Sequence, residues 1–241
     1  MPVQTFKLLT WNIRQGGKKA IQQIAHSLEA HGADVVVLSE YKENTSGNYL
    51  KQYLSEAGWP HSASSHPQHK ENGMLIASRT PLKRMEPPFS AKRGSSRWNE
   101  VYIPHYDLFL LGVHVPNVNE HYDKTFHWEH IISYATQQKD NRCVITGDFN
   151  TARREEKAMA PKKYSQFIQT MEDDGWTDAR KVLAPETPGY TWYSNRKNGY
   201  RLDYIFLSPA LHGRLLACGH SHHERLQNYS DHAIVEAKLI V

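Results

Sequence analysis

Cysteine is almost missing from this sequence: only Cys143 and Cys218 occur, far apart and at no metal-ligand spacing. Cys143 lies inside the apolar run Cys143-Val144-Ile145, so a buried thiol is the reading, and a disulfide framework or a cysteine zinc site is excluded. The pair suits a reducing, cytoplasmic setting. No apolar run approaches the length needed to cross a bilayer. A strand pattern begins at Phe6 and ends at Trp11 with no charged start and long apolar stretch before it, so neither secretion nor membrane insertion is indicated. Gly, Pro and Ser build no low-complexity tract, and no exact internal repeat is visible. An excess of one charge is lacking too: a formal net charge of +4 is compatible with an anionic partner and falls far short of a histone-like surplus.

What is present is an ordinary globular composition, 39% hydrophobic and 22% charged over 241 residues, enough for a substantial core. Polar motifs run from Asn12 to His232 and leave no room for a separable half, so one domain spanning 1–241 is expected. Helical spacing of Ile21, Ile24, Ala25 and Leu28 predicts a helix stopped at Gly32, and Tyr49, Leu50, Tyr53 and Leu54 mark another stopped at Gly58. Further helices are expected over Thr125–Gln138 and around Phe167, Ile168 and Met171, the latter ending at Gly175. Strands are expected at 35–38, 74–77, 101–103, 108–113, 143–146, 204–207 and 233–241, with Pro104-His105-Tyr106-Asp107 as a hairpin connection. Helices interspersed with isolated strands and hairpins predict an α/β protein with mixed sheets.

Six short stretches carry the chemistry: Thr10-Trp11-Asn12, Leu38-Ser39-Glu40, Gly112-Val113-His114, Gly147-Asp148-Phe149-Asn150, Arg201-Leu202-Asp203-Tyr204 and Ser230-Asp231-His232. Most sit where a buried-strand pattern gives way to polar residues, so folding could gather their tips at one sheet edge. Asp148 and Asn150, two apart at a strand end, share a face, and Gly147 permits a close backbone approach. Read alone, that motif serves equally as a turn in which Asp and Asn bond their own backbone. Asn12 and Glu40 offer the oxygen donors that Mg²⁺ and Mn²⁺ prefer, although Asn12 alone reads as a strand-end cap. Asp203 between Leu202 and Tyr204 is buried enough to need a partner: His232, which it would orient, or else Arg201 or a backbone turn. Basic clusters lie beside these motifs: Lys92, Arg93 and Arg97; Arg153, Arg154, Lys157, Lys162 and Lys163; Arg196, Lys197 and Arg201. Each one taken singly reads as solvated surface charge.

In this order the motifs resemble the metal-dependent endonuclease/exonuclease/phosphatase superfamily over nearly the whole chain. Tyr190-Thr191-Trp192-Tyr193, Gly199 through Tyr204 and Glu40-Tyr41-Lys42 look most like its exonuclease III branch of abasic-site repair endonucleases. The resemblance implies a DNase I-like, four-layered α/β sandwich of two mixed β-sheets flanked by helices. It makes Glu40 the principal metal carboxylate, with Asn12 and Asp231 near the same ion, Mg²⁺ or alternatively Mn²⁺. Asp148 and Asn150 match the pair that positions the attacking water, His232 the histidine on the scissile phosphate, and Asp203 the carboxylate that holds it. Trp192, Tyr200 and Leu202 match a pocket for a flipped-out abasic sugar, and Lys42, Asn117 and Arg201 join them as substrate contacts.

Three departures stand out: His114 where repair endonucleases have tyrosine, Arg14 near the metal where they have a small polar or acidic group, and Tyr200 in place of tryptophan. His114 would then donate to the phosphate alongside Asn150 and His232. The expected activity is phosphodiester hydrolysis, with DNA as partner and cleavage at abasic sites or trimming of 3′ ends. The competing reading is a phosphodiesterase or phosphatase acting on a small molecule, a lipid headgroup or RNA. A catalytically inactive scaffold would have lost one of Glu40, Asp148, Asp203 or His232, and all four are present.

Overall fold

The computed structural model describes residues 4–156, 162–184, 186–187 and 189–241; Lys157, one of the clustered basic residues, lies outside them. Its strands are β1 (Thr5–Asn12), β2 (Val35–Tyr41), β3 (His61–Ser64), β4 (Gly73–Ser78), β5 (Lys83–Arg84), β6 (Trp98–Ile103) and β7 (Leu108–His114). They continue with β8 (Cys143–Asp148), β9 (Thr177–Asp178), β10 (Trp192–Tyr193), β11 (Gly199–Tyr200), β12 (Asp203–Leu207), β13 (Leu215–Ser221) and β14 (Ile234–Ile240). The helices are α1 (Ile21–His31), α2 (Thr45–Glu56), α3 (Lys124–Gln138), α4 (Lys162–Asp173), α5 (Ala179–Leu183) and α6 (His223–Leu226).

Two six-stranded sheets form, in the orders β13-β14-β1-β2-β4-β3 and β5-β6-β7-β8-β12-β9, with β10-β11 as a separate hairpin. Each sheet contains one parallel pair, β1 with β2 and β7 with β8, flanked by antiparallel neighbours. The inner faces pack on each other through Leu8, Val37, Ile76, Leu110, Val144 and Val235. The outer face of the first sheet is covered by α1 and α2, through Ile24, Leu28, Leu50 and Leu54 against Leu9, Trp11, Val36 and Leu75. α3 and α4 cover the second sheet, through Trp128, Ile131, Ile168 and Met171. This is the four-layered α/β sandwich.

Local sequence explains the main elements. The run Val35–Leu38 is buried on both faces because β2 is an inner strand with core on either side. α1 ends where Gly32 adopts φ 59° and returns its N–H to Leu28 and Glu29 carbonyls. Asp123 caps α3 by accepting from Thr125 N and Phe126 N. Periodicity misses β3, β5, β9, β13, α5 and α6, which are short or carry little apolar alternation. β13 is an edge strand with a mostly half-exposed surface, so nothing forces an apolar period upon it.

The two sheets are topological echoes without sequence repetition. Asn12 ends β1 as His114 ends β7, and Glu40 nears the end of β2 as Asp148 ends β8. Four of the six motifs therefore project from equivalent strand ends at one rim of the sandwich.

Candidate active site

At that rim one carboxylate oxygen, Asp148 Oδ2, is the hub. Asn12 Nδ2 donates to it at 2.9 Å and to Glu40 Oε1 at 3.2 Å, so a single amide spans the two carboxylates. His232 Nε2 lies 3.9 Å away and His114 Nε2 4.0 Å away, too long for direct hydrogen bonds, which leaves both imidazoles able to serve a third group. Behind His232, its Nδ1 donates to Asp203 Oδ2 at 2.8 Å. Asp203 is itself pinned by Thr191, whose Oγ1 accepts from Leu202 N and Asp203 N. Asp203 therefore takes the histidine as its partner, while Arg201 points elsewhere. Ser230 links the chain's far ends: its Oγ donates to Asn12 O at 2.6 Å and accepts from His232 N at 3.2 Å.

The Asp148–Asn150 segment realises both sequence readings. The strand stops at Asp148, and Asn150 enters with φ 47°, its N–H donating to Asp148 Oδ1 at 2.8 Å. A side-chain turn, rather than strand alternation, brings the two together. The close approach at Gly147 is made by the neighbouring strand: a Cβ there would collide with the Val113 carbonyl.

Glu40 is gripped by an unusual turn. Arg14, Gln15, Gly16, Gly17 and Lys18 have φ of 49°, 52°, 73°, 72° and 45°, five successive residues in the left-handed region. Each non-glycine residue there costs about 1–2 kcal/mol, so the surroundings must hold the turn. Its N–H groups fasten Glu40, from Gln15 to Oε2 at 2.6 Å and from Gly16 to the Glu40 carbonyl at 2.7 Å. Glu40 has φ 58° at a register shift in β2, which turns its carboxylate toward the rim.

The resulting cavity, about 460 Å³, is lined by Glu40, His114, Asn117, Lys124, Asp148, Asn150, Trp192, Tyr200, Leu202, Asp231 and His232, with further residues including Glu120 and Tyr164. Trp192 Nε1 donates to Asp231 Oδ2 at 3.3 Å, and Arg14 approaches Asp231 Oδ1 at 3.8 Å. Buried on one side and carboxylate-rich, the cavity shifts its titrating groups. Burial, with Asp203 adding repulsion, raises Asp148 well above the usual carboxylate range. For His232, burial favours the neutral ring, and Asp203 and Asp148 outweigh it and hold the imidazolium. His114 is driven well below the ordinary histidine value by burial and by Arg97, whose guanidinium lies 3.3 Å from both ring nitrogens.

Among the expected substrate contacts, Asn117, Trp192, Tyr200 and Leu202 line the cavity, and two others do not. Arg201 is buried at 2% exposure in an ion cluster: it meets Asp178 at 2.8 Å and Glu156 at 2.5 Å, and Arg153 meets Asp178 at 2.7 Å and Glu172 at 2.9 Å. Neighbours on extended chain leave opposite faces, so with Leu202 on the cavity side Arg201 enters the interior. Arg153, grouped by sequence with surface charge, belongs to the same cluster. Lys42 lays its stem over Gly16 and donates to Lys70 O at 3.3 Å. Asn12, expected as a metal ligand, accepts from Arg14 N through Oδ1 at 2.9 Å and donates from its nitrogen to both carboxylates, so it fastens them while its oxygen keeps a second lone pair. Lys124, Glu120, Arg97 and Thr191 were not singled out as site residues; only the place of Lys124 after a helix-capping Asp123 could have flagged it.

The donor set fits a divalent cation. Glu40, Glu120, Asp148 and Asp231 line the cavity against the cations Lys124 and His232, and Asp203 Oδ1 is a buried oxygen with no hydrogen-bond donor among the described residues. Asp148, Asp203 and His232 also place ligand atoms within 4.8 Å of one another. Asp203 Oδ2 is taken by His232, whereas the Glu40 and Asp231 carboxylates line the cavity and are held there by the neutral donors Asn12, Gln15 N and Trp192, which leave their charge for a cation.

Residues 9–232 match the model of the Endonuclease/Exonuclease/phosphatase family, and the chain belongs to that family of phosphoester hydrolases. Solved structures share the fold: an AP endonuclease from Archaeoglobus fulgidus (TM-score 0.83, 20% identity, 98% of this chain and 100% of that one). The 3′-5′ exonuclease NExo of Neisseria meningitidis gives TM-score 0.79, 24% identity and coverage of 98% and 100%. NExo from Neisseria, described as a 3′ phosphatase and bound to a product DNA hairpin, gives 0.80, 23%, 97% and 99%. No curated protein sequence matches. Among the described residues no helix is long and apolar enough to cross a membrane.

Proposed function

We propose that this chain is a divalent-metal-dependent phosphodiester hydrolase acting on DNA, at abasic sites or at 3′ ends. The observation that supports it most is the meeting at Asp148 of Glu40 through Asn12 and of the Asp203–His232 pair, drawn from both sheets. Glu40 and Asp231 would hold Mg²⁺, which supplies positive charge against the phosphate. Asp148, its proton affinity raised by burial, takes the proton from an attacking water, as a base tuned toward neutrality does well. The His232 imidazolium, oriented by Asp203, and the Asn150 amide donate to the non-bridging oxygens. His114, kept neutral beside Arg97, donates to the phosphate without adding a second imidazolium. Trp192, Tyr200 and Leu202 form an aromatic and apolar wall for an unstacked sugar or end. An AP endonuclease, a 3′-5′ exonuclease and a 3′ phosphatase bound to a product DNA hairpin among the solved neighbours agree with this reading.

The test is a panel of abasic duplex, intact duplex, single strand, RNA and a small phosphodiester, each with Mg²⁺, Mn²⁺ or chelator. Cleavage of abasic or 3′-blocked DNA, lost with chelator and falling steeply with salt, is the expected result. Preference for RNA or the small diester with a shallow salt slope overturns the DNA assignment. Full activity in chelator overturns the metal.

A further inference from the structure

Lys124 is a buried cation that the reaction above does not use. It is the first residue of α3, only 5% of its surface is exposed, and it lines the same cavity as Asp148 and Asn150. A buried ammonium ordinarily has a carboxylate partner. Here it donates to the Asn150 carbonyl and lies 4.8 Å from the centre of the Tyr164 ring, and it forms no ion pair among the described residues. Two of its three donors remain for another acceptor. Asp148 and Glu120 lie near enough to favour its charge, yet neither pairs with it, and Glu40, Asp231 and His232 line the rest of the cavity, in which Lys124 is the one ammonium among the described residues. An ammonium facing such a space is matched by an anion entering with the substrate.

We infer that Lys124 is a phosphate-binding residue of the active site, donating from Nζ to a phosphate oxygen of the substrate strand. The inference rests on the reading of the cavity as a phosphoester site and identifies a substrate contact that neither the motifs nor the metal carboxylates supply. A lysine that merely props the Asn150 carbonyl is the competing account, and the side chains that separate them are glutamine and arginine. Glutamine can still donate to the carbonyl and has no charge; arginine keeps the charge.

The experiment measures binding of inorganic phosphate to the full chain in chelator, by calorimetry, and KM and kcat on the DNA that the wild type cleaves. Lys124→Gln is expected to weaken phosphate binding and raise KM by about 10- to 100-fold, the size of a lost charge-assisted hydrogen bond. Lys124→Arg restores most of both, and Lys83→Gln, an exposed lysine elsewhere, changes neither. Wild-type values in Lys124→Gln overturn the inference even when the wild type cleaves DNA, leaving the functional reading intact. A wild type that cleaves nothing sinks that reading, while phosphate binding still tests Lys124. Should the variants fail to fold, ¹⁵N-lysine spectra of the wild type decide: phosphate must shift the Lys124 ammonium signal, and an unmoved signal overturns the assignment.

Discussion

Two groups of buried charge lie back to back in this molecule, and they are finished differently. Behind the cavity, Arg153 and Arg201 meet Asp178, Glu156 and Glu172, so each cation has carboxylates on more than one side and Asp178 is held below its ordinary range, burial being outweighed by the two arginines. At the rim, Asp148, Asp203 and His232 pack one cation among carboxylates, leave Asp203 Oδ1 without a donor among the described residues and raise Asp148. With Lys181 on Glu172 at 3.1 Å the first group matches three cations to three carboxylates and is closed; the second has one cation for two carboxylates and opens on a cavity. Burial of charge is common to both, and only incomplete pairing with access marks the second as the candidate site.

The comparison is broken most severely by Asp178→Ala. Two buried arginines lose a shared partner, and stability should fall by about 3–5 kcal/mol in urea unfolding, as for a buried pair cut on one side. A loss under about 1 kcal/mol would show the cluster to be dispensable. Asp148→Asn should do the opposite: turnover falls by about 10²-fold or more, while the melting temperature holds or rises because repulsion with Asp203 is relieved. Near-normal turnover with metal supplied would remove Asp148 from the chemistry.

Asp203→Asn should reduce kcat less than loss of His232 itself, since it acts through the histidine; the measurement is kcat for Asp203→Asn, His232→Ala and the double variant. Additive losses would contradict a shared route, which predicts a double variant little worse than His232→Ala.

A milder contrast comes from a half-buried trio of the first kind, one histidine between two carboxylates. His31 Nδ1 lies 2.6 Å from Glu236 and Nε2 3.1 Å from Glu224, and these carboxylates raise His31 from 6.5 to about 9 while Glu224 is lowered from 4.5 to about 2. A raised histidine stabilises fully below pH 6.5 and loses that contribution as pH climbs through about 9; a depressed carboxylate contributes above pH 4.5 and loses it as pH falls toward 2. The difference in stability between wild type and His31→Gln should therefore be greatest between pH 4.5 and 6.5, about 1 kcal/mol after solvent screening, and shrink above it. A pH-independent difference would assign His31 a packing role.

The sandwich, its strong strands and the acidic and histidine residues at the rim were legible because inner strands are apolar throughout and the donors follow directly after them. Arg201 was misplaced because sequence spacing alone does not say which face of an extended segment will be interior; only the partner strand carrying Asp178 decides it. The oxygen that Asn12 offers is legible in the sequence, whereas the bonds that its nitrogen makes to Glu40 and Asp148, 28 and 136 positions away, are not. Lys124 escaped because its role depends on the fold of the 150s segment over α3, a contact across 26 positions that no local pattern encodes.

β14 is an inner strand of its sheet, lying between β13 and β1, and the histidine that precedes it is stitched to residues 11 and 12 through Trp11 Nε1 and Ser230. During synthesis, then, everything up to residue 229 can emerge from the ribosome without forming a working centre. Until this strand pairs between β13 and β1 the rim lacks the Asp203–His232 pair, so the candidate site is assembled from segments more than two hundred positions apart rather than from any one stretch of chain.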